Sequence, residues 1–361
     1  MKVLGSSFQG LLFLFLLSNS IHAQKMERFD RGDFEKTIRL NGELFLSENL
    51  NYPLRIKVSS EANGIFVTDS KSDQLVKVFS LKSGEFVVGF VSSGMGPGEL
   101  QNASDIEVFA DNNLVVVNGA IQKRMDFYDL DKVLEGSSPM PTKTLTFRNT
   151  SISSPKYLGK DRFLDLNDTN EGNPSARFNL ISSKDKIISS HGDFPDSEVT
   201  KDLENLRSQV FYAFLGAAAD HSNFIVANAY TDILEIYDSK YRLVKRIQGP
   251  DSTEPNMKLR NVGNGYMVAP TKETMLTYTA PVVGNDRFFV MYRGQSMSEP
   301  GYHSQVIFSF DMSGKPLNIY ELDVPVFTFD IDWENNVLYG LTHESPFDDA
   351  EVAVIKFDLF N

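Results

Sequence analysis

A short apolar strand that follows a turn rich in Gly, Asn and Asp recurs six times along this chain of 361 residues. The turn residues tolerate the positive φ angles that tight hairpins need. Successive copies start 49, 49, 61, 64 and 49 residues apart, and they begin at Gly64, Asn113, Arg162, Asn223, Arg287 and Asn336. Three equal intervals indicate one repeated structural unit, and the two longer intervals mark insertions.

Further strand-like segments flank each copy. A second strand follows it, and in four units this strand ends in an aromatic residue and an aspartate, as in Tyr128-Asp129. An outer strand comes next, and an inner strand precedes the turn. Four strands in each of six units predict an all-β fold, a six-bladed β-propeller. The alternative all-β architecture is a pair of β-sandwiches, which does not require the regular spacing.

The sixth unit shows no outer strand of its own before the sequence ends at Asn361. The segment 34–40 resembles residues 241–247, the predicted outer strand of the fourth unit. We therefore expect residues 34–40 to complete the last blade, so that an N-terminal strand closes the ring and leaves no exposed sheet edge there. Of the two long connections, 195–207 predicts a short helix, and 249–275 predicts a loop punctuated by Pro and Gly.

The N-terminus has the layout of a secretory signal peptide over residues 1–23. Lys2 provides the positive start, residues 11–17 provide the apolar run, and Ala23 is a small residue at the expected cleavage position. A buried N-terminal strand is the alternative. The remaining residues, 24–361, are predicted to form one propeller domain. We expect a periplasmic or secreted protein without a lipid anchor, because the chain contains no cysteine.

The composition narrows the classes of partner and chemistry. A formal net charge of −13 disfavours nucleic acid and anionic membrane surfaces as partners. The absence of cysteine excludes disulfides, thiol-ligated metals and a cysteine nucleophile. No segment after the signal peptide is long and apolar enough to span a bilayer, so stable membrane insertion is not expected. A monomer is the expected state.

A Gly-rich loop, Ser93 to Leu100, is the most distinctive local motif. A phosphate-binding loop would need a helix after it and a Lys followed by Ser or Thr, whereas a strand-like segment follows here. We therefore interpret the loop as a structural connection between blades, formed by Gly94, Gly96, Pro97, Gly98 and Glu99.

The Gly-x-Gly-Pro-Gly-Glu sequence of residues 94–99 resembles the TolB-like six-bladed propellers that are abundant in Bacteroidetes. More distantly, it is similar to the NHL-repeat propellers, whose blades carry a Gly-rich signature in this connection. The resemblance implies a propeller fold and export, and it implies no particular activity. This chain departs from the exported lipoproteins of that group because it lacks the cysteine for a lipid anchor.

The predicted inner strands supply the candidate ligand-binding residues, because they line the mouth of a propeller channel. The candidates are Arg55, Asp105, Lys156, Tyr212, Tyr278 and Asp330. No catalytic residues are assigned, since the sequence contains no Gly-x-Ser-x-Gly elbow and no His pair at metal-ligand spacing. We predict an exported, non-enzymatic binding or scaffold propeller without a cofactor, whose ligand is a protein, a peptide or a glycan.

The alternative function is a calcium-dependent hydrolase of the lactonase or esterase type. Propellers of that type place Ca²⁺ in the central channel, held by oxygen ligands from several blades. Strand alternation puts Asp105 and Glu107 on one face of their strand, and it does the same for Asp330 and Asp332. These four carboxylates are the candidate Ca²⁺ ligands.

Overall fold

The computed structural model describes residues 26–169, 171–197, 206–263, 265–347 and 351–359. The predicted signal peptide, residues 1–23, lies outside the described residues. The described strands form six sheets, each one blade, and a separate two-stranded sheet. The predicted six-bladed β-propeller, closed by an N-terminal strand, is confirmed.

Every blade follows the predicted order from the channel outward. The four main strands of blades one to five pair antiparallel in sequence order, whereas the outer strand of blade six comes from the N-terminal part of the chain. The inner strands are Pro53–Ser59, Asp105–Phe109, Lys156–Tyr157, Ala213–Ala217, Met275–Tyr278 with Val282–Val283, and Thr328–Asp332. The second strands are Gly64–Asp69, Leu114–Gly119, Arg162–Leu166, Asn223–Asn228, Arg287–Ser296 and Val337–Thr342. The third strands are Gln74–Ser80, Arg124–Asp129, Ala176–Ser182, Ile233–Asp238, Ser304–Asp311 and Ala353–Asp358. The outer strands of blades one to five are Phe86–Ser92, Lys143–Thr146, Lys186–Asp193, Leu243–Gln248 and Pro316–Val326.

Short helices and one hairpin occupy the connections. The α-helices are Leu130–Leu134 and Arg207–Val210, and the 3-10 helices are Arg31–Asp33 and Ala110–Asn112. The helix predicted within 195–207 falls largely on residues 198–205, outside the described residues. The long insertion between blades four and five forms a hairpin of Met257–Asn261 and Tyr266–Pro270 rather than an irregular loop. No helix in the described part of the chain is long and apolar enough to cross a membrane.

The strand that closes the ring differs from the predicted one. Glu43–Leu46 pairs antiparallel with the third strand of blade six, and it supplies the outer strand of that blade. The predicted segment instead forms Lys36–Leu40, which pairs parallel with the outer strand of blade five. Both segments have the apolar alternation of a blade edge, so the pattern alone could not distinguish which edge each one covers.

The N-terminal segment as a whole runs along the outer edges of three blades. Glu27–Arg28 pairs parallel with the outer strand of blade four, before the chain reaches blades five and six. Between these contacts, the rings of Phe29 and Phe34 pack against Phe308 and Phe310 with centroids 5.0–5.9 Å apart. We call residues 27–46 the N-terminal strap, and it joins blades four, five and six by hydrogen bonds and by aromatic packing.

Candidate functional site

The inner strands all begin on one face of the ring, and the first residues of these strands form the channel mouth. Arg55, Asp105 and Lys156 lie on the inner strands of blades one, two and three, and Tyr212 immediately precedes that of blade four. The Lys156 ammonium lies 2.8 Å from the Asp105 carboxylate. Arg55 interacts electrostatically with all three of the others. The structure therefore brings these four predicted residues together.

The two acids on the inner strand of blade two, Asp105 and Glu107, have pKa values shifted in opposite directions. Burial opposes the ionisation of Asp105, but Lys156, Arg55 and the Ser154 hydroxyl outweigh it and lower the pKa of Asp105 to about 2. Burial and the charge of Asp105 raise the pKa of Glu107. Asp105 is thus the ionised partner of Lys156, and the pair is held by a charge-assisted hydrogen bond.

Asp330 serves as a contact between blades and is not open to a ligand. It is 2% exposed, and its carboxylate accepts a 2.7 Å hydrogen bond from the Val58 N–H of blade one. Glu107 accepts a 2.9 Å bond from the Tyr157 N–H of the next blade in the same way. Each acid is the third residue of its inner strand, where the closely spaced strands bring a neighbour's backbone within reach. The predicted placement of Asp330 at the mouth is therefore wrong.

Tyr278 also lies away from the mouth. It is 2% exposed and packs in the core between blades four and five, with its ring 5.3 Å from that of Tyr292. The pairing of its strand shifts register between Leu276 and Tyr278. This shift turns the tyrosine toward the neighbouring blade, so the prediction that it lines the channel mouth is wrong.

The four candidate Ca²⁺ ligands each have protein partners, and Lys57 interacts both with Asp330, at 3.1 Å, and with Glu107. Asp105 and Glu107 face Lys156, at 2.8 and 3.8 Å. Asp332 accepts a 2.5 Å bond from the Ser60 hydroxyl, while Asp330 faces blade one. Within the described ranges, no three or more His, Asp or Glu side chains are grouped so that they could hold a metal ion. Calcium binding by these four carboxylates stays a prediction from the sequence.

A second arginine at the mouth was missed by the sequence analysis. Arg293 lies in the second half of the second strand of blade five, with its guanidinium 5.7 Å from the ring centroid of Tyr302. Burial lowers the pKa of Arg293, and the nearby positive charge of Arg55 lowers it further. Its Nε atom is buried without a hydrogen-bond partner among the described residues. Arg293 and Arg55 come from different blades and interact electrostatically with each other.

Neither arginine forms a close ion pair, although Arg55 interacts electrostatically with the Asp105 carboxylate. In the part of the chain that the structure describes, no carboxylate lies within 4.0 Å of the guanidinium of Arg55 or Arg293. Arg55 donates a 2.9 Å bond to the Leu54 carbonyl. Like charges brought together in a partly buried site cost free energy, and the positive charge of Arg55 accordingly lowers the pKa of Arg293.

Aromatic side chains surround part of the mouth and were also missed. The ring of His343 stacks between those of Tyr52 and Phe327, with centroid distances of 4.8 and 4.5 Å. The Lys71 ammonium lies 4.4 Å from the Tyr52 ring centroid. Tyr52, Tyr212 and Phe327 each stand one residue before an inner strand. Aligning the inner strands in the sequence shows an aromatic residue at this position in three blades, and this recurrence could have identified the aromatic residues of the mouth.

Two carboxyl groups lie beside the mouth and share one serine. The Ser153 hydroxyl lies 2.7 Å from the Asp168 carboxylate and 3.5 Å from that of Asp165. Burial and the neighbouring Asp168 raise the pKa of Asp165 to about 7. Burial also raises the pKa of Asp168, and Asp168 in turn interacts with Tyr212. The pair therefore tends to hold a proton near neutral pH.

The Gly-rich loop forms a closed turn between blades one and two. The Glu99 carboxylate accepts a 2.7 Å bond from Gly96 N–H, and Gly94 N–H donates a 2.9 Å bond to the Leu100 carbonyl. A Cβ atom on Gly94 would lie 2.1 Å from the Glu99 carboxylate, and Gly98 has φ +75°. The glutamate of the loop thus closes the turn by accepting a hydrogen bond from within the loop, and Gly98 has the positive φ that glycine adopts readily.

Six four-stranded blades around one channel define a six-bladed β-propeller. Residues 29–334 match the family described as TolB-like 6-blade propeller-like, so the chain belongs to this family and the predicted resemblance is confirmed. A search of the curated proteins gave no match.

Three solved structures illustrate the similarity. A Bacteroides fragilis protein whose name describes it as exported is 12% identical, with a TM-score of 0.55, and the match covers 89% of this chain and 98% of the other. A Bacteroides vulgatus member of the DUF4221 family is 10% identical, with a TM-score of 0.53 and coverage of 88% and 98%. The RRP9 WD40 repeats are 9% identical, with a TM-score of 0.51 and coverage of 88% and 97%. At these identities the similarity shows the fold alone.

Proposed function

We propose that this protein is a binding propeller whose channel mouth takes an acidic peptide segment of a partner protein. The observation that carries the proposal is the guanidinium of Arg293, whose buried Nε atom has no hydrogen-bond partner among the described residues and which interacts electrostatically with Arg55, the arginine that also interacts with Asp105 and Lys156. Guanidinium groups bind carboxylates through two parallel hydrogen bonds, and such bonds are strongest where water is partly excluded.

The surroundings favour a peptide over a small inorganic anion. The stacked rings of Tyr52, His343 and Phe327, together with Tyr302, provide wide aromatic surface next to the arginines. Aromatic side chains and arginine are the residues that dominate the affinity of protein interfaces. The net charge of −13 repels polyanions in general, so capture of an acidic segment must depend on this local positive site.

We propose further that the protein acts outside the cytoplasm, in the periplasm or as a secreted protein. The signal-like pattern of residues 1–23 supports this proposal, and so does the exported relative of similar fold.

The test is binding of a fluorescein-labelled hexaglutamate, measured by fluorescence anisotropy, with hexalysine and hexaserine as comparison peptides. We expect saturable binding of hexaglutamate alone, weakened about tenfold or more by Arg55→Ala or Arg293→Ala, because each change removes a charge-assisted pair. The matched control is Arg39→Ala, which removes an exposed arginine from the N-terminal strap and should leave binding unchanged. Equal binding by all four proteins, or no binding by the wild type, would exclude the proposed site.

A further inference from the structure

A pocket of about 380 Å³ opens on the face opposite the channel mouth. It lies between the turns that follow the inner strands, at the other end of those strands from Arg55. Gly284, Asn285 and Asp286 come from the turn of blade five, and Asn336 comes from that of blade six. The pocket is therefore separate from the site of the proposed function.

Aromatic rings form one wall of this pocket. Phe289 and Tyr320 are buried beneath it with ring centroids 5.5 Å apart, and the Trp333 ring lies 5.7 Å from that of Phe289. A Cβ atom on Gly284 would lie 2.8 Å from the Trp333 indole. Only glycine therefore allows the indole to lie against this turn, and the close packing fixes the position of the ring.

Polar groups that lack protein partners surround the aromatic wall. In the described part of the chain, the carboxamides of Asn285 and Asn336 and the indole N–H of Trp333 make no hydrogen bond, although all three residues line the pocket. The Asp286 carboxylate and the Arg287 guanidinium lie 2.8 Å apart, and both are partly exposed. The lining therefore offers donors and acceptors with no net charge.

We propose that this pocket binds a neutral sugar ring, either as a free sugar or as one residue of a glycan. A pyranose ring has an apolar C–H face that packs on an aromatic ring, and its hydroxyl groups both donate and accept hydrogen bonds. Carboxamides, a carboxylate and a guanidinium match those hydroxyl groups, whereas a balanced charge gives no advantage to an anion or a cation. The volume lies within the range of small-molecule pockets.

The chain contains a single tryptophan, so its fluorescence reports directly on this pocket. The experiment titrates the full chain with glucose, galactose, mannose and N-acetylglucosamine, each as a monosaccharide and as a linear trisaccharide. We expect a saturable change in emission with at least one sugar. A trisaccharide that binds about tenfold more tightly than its monosaccharide identifies a glycan as the ligand, and equal affinities identify a free sugar. A neutral Gly-Ser hexapeptide is titrated as the comparison that is not a sugar. No saturable change up to about 100 mM of any sugar overturns the proposal, and so does saturation by the hexapeptide alone.

Two variants connect the signal to the pocket. Arg287→Ala should weaken sugar binding about tenfold or more, because it removes a charged donor. Its matched control is Arg242→Ala, which breaks a similar exposed pair with Asp238 outside the pocket and should leave binding unchanged. Unaltered affinity in a folded Arg287→Ala protein contradicts the proposal. The Arg55 and Arg293 variants should bind sugar normally, so this proposal and the proposed function fail or succeed separately.

Discussion

Single buried carboxyl groups determine how this protein responds to pH. Asp165 is 1% exposed and accepts backbone hydrogen bonds from Ser153 and Leu166, which favour its charged form. Burial and the charge of Asp168 nevertheless raise its pKa to about 7, from an ordinary value of 3.8. The native state thus holds a proton that the unfolded state releases. The resulting stabilisation is present in acid and is lost as the pH rises from about 4 to about 7.

The substitution Asp168→Asn should make stability less dependent on pH. It removes the neighbouring charge and so lowers the pKa of Asp165, and it also removes the raised pKa of Asp168 itself. We expect the variant to gain stability relative to the wild type at pH 8, with a smaller difference at pH 5. Thermal melting at both pH values measures this effect. Parallel profiles of Tm against pH for the two proteins would show that the carboxyl pair is not coupled.

At the scale of strands and blades, a buried ion network joins blades three and four. Arg177 is 1% exposed and donates hydrogen bonds of 2.8 Å to the Phe211 carbonyl and 2.9 Å to Asn228. Its guanidinium also lies 3.2 Å from the carboxylate of Glu235, which faces Arg246 at 3.1 Å on its other side. Burial opposes the ionisation of Glu235, but the two arginines lower its pKa.

Glu235→Gln should destabilise the protein by about 3–5 kcal/mol, because it leaves Arg177 buried without a counter-charge. Chemical denaturation gives the change in the free energy of unfolding. The matched control is Glu321→Gln, which breaks the exposed pair with Arg39 and should cost less than about 1 kcal/mol. A similar small effect for both variants would mean that the buried network is not needed for stability.

The strands could be predicted from the sequence because each one carries its own local pattern. The recurring copies starting at Asn223 and Arg287 begin at the same residues as strands of the structure. The site was predicted only in part, because a side chain's direction depends on the register between strands. The register shift at Tyr278 and the hydrogen bond that Asp330 accepts from blade one both depend on how separate segments pair and pack. A local sequence pattern does not encode either of them.

At the scale of the whole molecule, stability depends on how the ring is closed. Leu46 is 7% exposed, and it packs with Ile56 and Val58 of blade one as well as Tyr339 and Val354 of blade six. The closing strand therefore contacts both blades at the junction, and it covers the edge of the third strand of blade six by pairing with it.

Leu46→Ala should lower the free energy of unfolding by about 2–5 kcal/mol, as expected for a buried leucine that leaves a cavity. The matched control, Arg39→Ala, changes an exposed side chain of the N-terminal strap and should have little effect. Differential scanning calorimetry measures both variants. We expect a single transition that moves to lower temperature for Leu46→Ala; a midpoint equal to that of the control would contradict the role of this strand.

The N-terminal strap also imposes an order on how the nascent chain becomes a ring. Blades one to three use only strands that are close together in sequence, so each can be completed soon after it is synthesised. The strap is synthesised first, but its strands can pair only after distant parts of the chain have been made. Lys36 pairs with Asn318, 282 positions later, and Glu43 pairs with Lys356. Pairings so distant form slowly. A chain that stops before its last strand is made would therefore carry the four main strands of blades one to five, while Glu43–Leu46 and the strands of blade six would be left with exposed edges open to aggregation.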